Sequence, residues 1–133
     1  LTIMLLLSCG ASRKKKNNKK NITQSTEFEF PKEMHNFGTL QAGEIVVYSF
    51  LFTNTGESNL WINEVETDCG CMSAKYLKEP VKPGETGQIN VEFDSSGLFG
   101  KQMKTISVKA NVPKPKHLAI FAEVKNKQLK IKY

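Results

Sequence analysis

The sequence predicts an all-β fold, an antiparallel sandwich of about seven short strands occupying residues 27–133. Three observations point there. From Phe28 onward apolar residues recur with period two, which places them on one face of an extended chain. Gly, Pro, Asn and Ser interrupt these runs about every eight to twelve positions, as turns between short strands do. No stretch has helical periodicity, so the strand–helix alternation of a parallel sheet is missing.

Phe28 and Phe30 form a short first strand, stopped by Pro31, which has no N–H for a ladder. Residues 44–53 make the strongest strand, with Val46, Tyr48, Phe50 and Phe52 on one face and Ile45, Val47 and Leu51 on the other. Asn54-Thr55-Gly56-Glu57-Ser58 reads as a turn, because Asn and Gly tolerate positive φ. Leu60 and Ile62 share a face, and Val65 is expected to return to the core beyond a local irregularity. Pro80, Pro83 and Gly84 mark a long loop. Ile89, Val91 and Phe93 then alternate with Gln88, Asn90 and Glu92 in a half-buried strand. Ser95-Ser96-Gly97 and Gly100 lead into a strand carrying Ile106 and Val108. Pro113 and Pro115 break the chain before Leu118, Ile120, Ala122 and Val124, and Leu129, Ile131 and Tyr133 add a last strand or extend that one. Strands of this number and spacing suit an immunoglobulin-like sandwich, though the Cys…Trp…Cys pattern of antibody domains is missing. Trp61 is expected either half-exposed on a strand or as a core pin.

The 133 residues leave room for one domain and a tail. Net charge is +6, and Arg13, Lys14, Lys15, Lys16, Lys19 and Lys20 supply as many positive charges with no acid among them. The other 13 Lys and Arg match the 13 Asp and Glu, so the β-patterned region is formally neutral. A nucleic-acid groove needs a basic stripe on the folded surface, and nucleic acid is therefore not an expected partner. The charge belongs to residues 9–26, a polar, Lys-rich flexible tether that would span roughly 20–25 Å.

Residues 1–8 read as the end of a truncated secretion signal, because their apolar run is far shorter than the ~20 residues of a membrane span. Leu6-Leu7-Ser8-Cys9 resembles a bacterial lipobox, with a small residue before the cysteine and Leu7 larger than is usual there. Cleavage before Cys9 would make it the acylated N-terminus, and several acyl chains at ~0.8 kcal/mol per methylene hold a protein to a bilayer. The expected location is the cell envelope, lipid-anchored and facing the periplasm.

Cys69-Gly70-Cys71 is the one unusual chemical feature. In a regular strand these two Cα atoms would lie roughly 6.6 Å apart. A disulfide needs Cβ atoms within ~4.5 Å, so a bond requires a turn at Gly70. Three readings stand. The pair is structural, as a disulfide or as packed thiols at a strand end. Alternatively it binds Cu(I) or Zn(II), with Met72, His35 or His117 as weaker candidate ligands, though neither histidine lies at ligand spacing. Or it is redox-active, without the helix N-terminus that activates Cys-x-x-Cys. Asp68 is placed either to tune the thiols or to form a turn, and Glu64 and Glu66 read as a solvated strand face. No Gly-x-Ser-x-Gly, His-Glu-x-x-His or phosphate-cradling glycine loop occurs, so no catalytic residue and no enzyme activity are expected.

Several segments together resemble the bacterial domain of unknown function 1573 family: Phe37-Gly38-Thr39-Leu40, Phe50-Leu51-Phe52-Thr53-Asn54-Thr55-Gly56, Asp68-Cys69-Gly70-Cys71 and Val81-Lys82-Pro83-Gly84-Glu85. Phe93-Asp94-Ser95, Gly97, Gly100 and Lys104-Thr105-Ile106-Ser107-Val108 continue the match, which covers about residues 34–125. The resemblance implies an immunoglobulin-like fold and an envelope location, often as a lipoprotein, and no established reaction. Met72 stands where many relatives carry Thr. The expected function is a lipid-anchored module that binds an envelope protein or polymer, by pairing of an edge strand with an extended partner. The alternative is a Cu/Zn or thiol-redox module built on Cys69 and Cys71.

Overall fold

The structure, a computed structural model, describes Gly10 and residues 26–126. The signal segment, Cys9, nearly all of the tether and residues 129–133 lie outside the described residues. Eight strands follow in order: β1 (Phe28–Glu29), β2 (Met34–Gln41), β3 (Ile45–Asn54), β4 (Ile62–Thr67), β5 (Met72–Tyr76), β6 (Thr86–Asp94), β7 (Gly100–Ala110) and β8 (Lys116–Lys125). They form two four-stranded sheets, ordered β1-β3-β6-β5 and β2-β8-β7-β4, in an all-β sandwich. Among the described residues no helix is long and apolar enough to cross a membrane.

The strands differ from expectation in two respects. Eight are described rather than about seven, because β2 and β5 are strands that the alternation did not reveal. In β2, His35 and Phe37 are half-buried, and then Leu40 is buried, so the inward phase slips by one residue. A bulge between Asn36 and Thr39 causes the slip. Gly38 sits there at φ 74°, a conformation that glycine adopts without a side-chain clash, and its N–H donates to Asn36 Oδ1 at 2.8 Å.

The second difference is that β2 pairs with β8 in parallel, while every other ladder is antiparallel. Pro31 ends β1 in one sheet, and the chain crosses to the other, where Ala119 N–H bonds to the Glu33 carbonyl at 2.9 Å. Parallel neighbours need a long connection, and here almost the whole domain lies between them.

Between the sheets lie Phe28, Phe50, Leu60, Ile89, Val91, Phe93, Ile106, Val108 and Ile120, all buried. Burying each such side chain is worth about 1.5–3 kcal/mol relative to exposure. Phe28, Phe30 and Phe52 pack edge-on or tilted with centroids 5.5–5.9 Å apart. The Phe52 ring also lies over its cross-strand neighbour Gly87, where a Cβ would overlap it. The irregularity expected before Val65 is a register shift between Ile62 and Glu64.

The turn after β3 is present, but its reason is different from the one expected. Neither Asn54 nor Gly56 has positive φ. Asn54 is instead fully buried and bonds through its side chain. Its Nδ2 donates to the Ser58 and Val81 carbonyls, both at 2.8 Å, and its Oδ1 accepts the Gly56 N–H at 3.0 Å. Ser95, equally buried, ties the β2–β3 turn to the end of β6 by donating to the Glu44 carbonyl at 2.7 Å and accepting the Gly43 N–H at 3.1 Å.

Candidate functional site

Residues 68–71 carry the chain from β4 in one sheet to β5 in the other, and the cysteines sit on this corner. Cys69 and Cys71 are joined by a disulfide with their Cα atoms 5.1 Å apart, so the chain is folded at Gly70. Other bonds hold the same corner. The Cys69 carbonyl accepts the Met72 N–H and the Thr67 hydroxyl, both at 3.2 Å. The Cys71 carbonyl accepts the Asp94 N–H at 2.9 Å, which fastens the corner to β6. Asp68 fastens it to β7, since its Oδ2 accepts the Thr105 N–H at 3.0 Å and hydroxyl at 2.9 Å. The Cys71 N–H in turn points at Cys69 Sγ, 3.0 Å away. Both cysteines are half-buried, and Cys71 packs against the core.

The other predicted ligands do not come to this corner. Met72 is buried in the core beside its cross-strand partner Phe93. His35 faces inward from β2, stacked on Tyr48 with centroids 3.7 Å apart. Burial, and then the charge of Lys32, lower its pKa below the ordinary 6.5. The neutral ring suits its contact with Lys32, whose Nζ lies 3.3 Å from Nδ1. His117 is exposed at the start of β8, opposite Ser107. Among the described residues no group of three His, Cys, Asp or Glu could hold a metal ion.

Glu64 and Glu66 flank Lys109 at 3.5 and 3.0 Å. The Glu66 hydrogen bond and charge raise the Lys109 pKa, and the same contacts lower that of Glu66. Exposed pairs of this kind contribute little to stability. Trp61 is 43% exposed and thus no core pin.

The feature with the clearest capacity for binding is the outer edge of β3. At its ends Ser95 N–H bonds to the Glu44 carbonyl and Asn54 N–H to the Glu85 carbonyl. Antiparallel ladders alternate bonded and non-bonded pairs, so the even-numbered residues of β3 spend their backbone groups on β6. Those of Ile45, Val47, Ser49 and Leu51 therefore point the other way. β1 pairs only with Thr53 and Asn54 before Pro31 diverts the chain. Among the described residues no strand pairs with the outer edge of β3 from Ile45 to Leu51. The side chains of Ile45, Val47 and Leu51 are 57–60% exposed on the outer face of the sheet. Beside them a shallow hollow is lined by Val47, Ser49, Ser73, Lys75, Gln88 and Asn90, among others.

Free edges invite pairing, and proteins usually blunt them with bulges, charges, Pro or short length. The other three edges carry such devices. β2 is bulged, β4 is bulged and bears Glu64 and Glu66, and β5 has five residues and includes Lys75. Ile45–Leu51 has none of these. The signal in the sequence is a strand apolar on both faces. Here the second face is exposed.

The comparisons bear first on the fold. A protein of unknown function from Porphyromonas gingivalis W83 is similar over 75% of this chain, with a TM-score of 0.67 and 21% identity, and the chain spans 47% of it. The PapD-like domain 7 of human CEP192 matches with a TM-score of 0.64 at 9% identity, over 96% of this chain and 99% of that one. The VesB protease of Vibrio cholerae matches with a TM-score of 0.56 at 14% identity, over 77% of this chain and 32% of its own. At these identities the likeness is one of fold. A search of curated protein sequences returns no match. The family model for DUF1573, described as a protein of unknown function, matches residues 28–124, and the chain belongs to that family.

Proposed function

We propose that this chain is a non-catalytic interaction module of the bacterial cell envelope, facing the periplasm and held to a membrane by lipid on Cys9. It captures an extended segment of an envelope protein along the outer edge of β3. The observation that carries this reading is the stretch Ile45–Leu51, which no strand pairs on its outer edge among the described residues and which sets three exposed apolar side chains beside outward backbone donors and acceptors. A segment added there continues the line that β1 abandons at Pro31. Each main-chain bond contributes about 0.5–1.5 kcal/mol net, and burial of an Ile, Val or Leu up to about 1.5–3 kcal/mol. Against the cost of association this supports affinity in the micromolar range, about 8 kcal/mol. The lipobox-like Leu6-Leu7-Ser8-Cys9 supports the anchor, and the missing catalytic motifs support a binding role.

A photo-crosslinking residue at Val47 tests the reading in intact cells, with one at Glu123, exposed on the other sheet, as control. The expected result is a discrete protein adduct from Val47, mapped to an extended, alternating apolar segment, and none from Glu123. No adduct from Val47, or the same products from both positions, would overturn the reading.

A further inference from the structure

We infer that the Cys69–Cys71 disulfide is a thiol-exchange site, oxidised and reduced by a dithiol partner without unfolding of the domain. The geometry separates it from a structural crosslink. A disulfide stabilises chiefly by restraining the unfolded chain, and the restraint grows with the length of the closed loop. This loop encloses one residue, Gly70. Nor does the corner need the bond for its shape. The contacts of Cys69 O with Met72 N and Thr67 Oγ1, of Cys71 O with Asp94 N and of Asp68 with Thr105 involve neither sulfur. Gly70 is exposed, and apart from its two cysteine neighbours no atom lies within 4 Å of where its Cβ would stand, so the space over Gly70 is open.

The two sulfurs are not equivalent. Cys69 Sγ receives the Cys71 N–H, whereas Cys71 packs against core side chains. A hydrogen bond to the charged form favours a thiolate, and the thiolate is both the better leaving group and the reactive nucleophile. In the reductive direction one thiolate of the dithiol bonds to Cys71 Sγ, the S–S bond breaks, and Cys69 leaves as the thiolate. The second thiol of the partner, deprotonated, then attacks the partner's own sulfur in the mixed disulfide. That step releases Cys71, which takes up a proton. Two electrons pass to the protein, and the partner becomes a disulfide. Oxidation reverses these steps: the Cys71 thiolate attacks the partner disulfide and releases one partner thiolate, and the Cys69 thiolate then attacks Cys71 Sγ in the mixed disulfide and releases the other.

The test uses the full chain in glutathione buffers of graded redox ratio, with quenching by alkylation and mass measurement, and dithiothreitol as the dithiol probe. Expected is reversible conversion between disulfide and dithiol across the series, with Tm changed by no more than about 3 °C between the two forms. In single variants at neutral pH, Cys69 in Cys71→Ser should alkylate at least about threefold faster than Cys71 in Cys69→Ser, because the Cys71 N–H favours the Cys69 thiolate while Cys71 packs against the core. A pair that stays oxidised with dithiothreitol in excess overturns the inference. So does a pair never found oxidised, a domain that unfolds on reduction, or equal alkylation rates.

Discussion

Asn54 closes two segments with one side chain. Its amide bonds the Ser58 and Val81 carbonyls while its oxygen holds the Gly56 N–H, all at the buried end of β3. Removing it takes three hydrogen bonds from the turn, each worth about 0.5–1.5 kcal/mol net, although the Leu60 N–H still bonds the Val81 carbonyl and the Glu27 carbonyl still accepts the Gly56 N–H. Asn54→Ala is therefore expected to lower stability by about 2–4 kcal/mol in urea unfolding, and a loss under about 1 kcal/mol would show that water replaces the amide. The sequence marked this residue as a turn former, which is right in place and wrong in mechanism. Turn statistics reflect both positive φ and side-chain bonding, and only coordinates separate them. Gly87 is similar: nothing in its neighbours announces that the Phe52 ring, from another strand, lies over it.

Among the elements, legibility followed the regularity of alternation. β3, β6 and β8 each bury one unbroken face and are plain in the sequence. β2 is not, because the bulge at Gly38 shifts its inward phase. β5 alternates Met72, Ala74 and Tyr76 inward, but it has only five residues, too few for the alternation to stand out. For β3 the alternation of backbone bonds makes a prediction about single substitutions. Val47→Pro removes an N–H that serves no internal ladder, whereas Tyr48→Pro removes one bonded to β6. Thermal unfolding is expected to show Val47→Pro folded with a modest loss and Tyr48→Pro unfolded or nearly so. Equal losses would mean that β3 has a partner on both sides.

For the whole molecule, the two-sheet architecture was readable from period-two burial and turn spacing alone. The closure between β2 and β8 was not, because parallel pairing of the first and last parts of a domain leaves no local signature. The cysteine corner could be located in the sequence, but its disulfide depended on a fold at Gly70 that spacing only permits. The open edge is a property of topology. Ile45, Val47 and Leu51 are legible as one face of β3, but the free backbone beside them follows from β1 leaving the sheet after two residues.

Residue-resolved amide hydrogen exchange on the free protein tests β3 as an open edge most directly. The prediction is alternation, with the amides of Ile45, Val47, Ser49 and Leu51 exchanging rapidly and those of Val46, Tyr48, Phe50 and Phe52 slower by about 100-fold or more. Uniform protection from residue 45 to 52 would contradict it, because the edge would then already be covered in the absence of a partner.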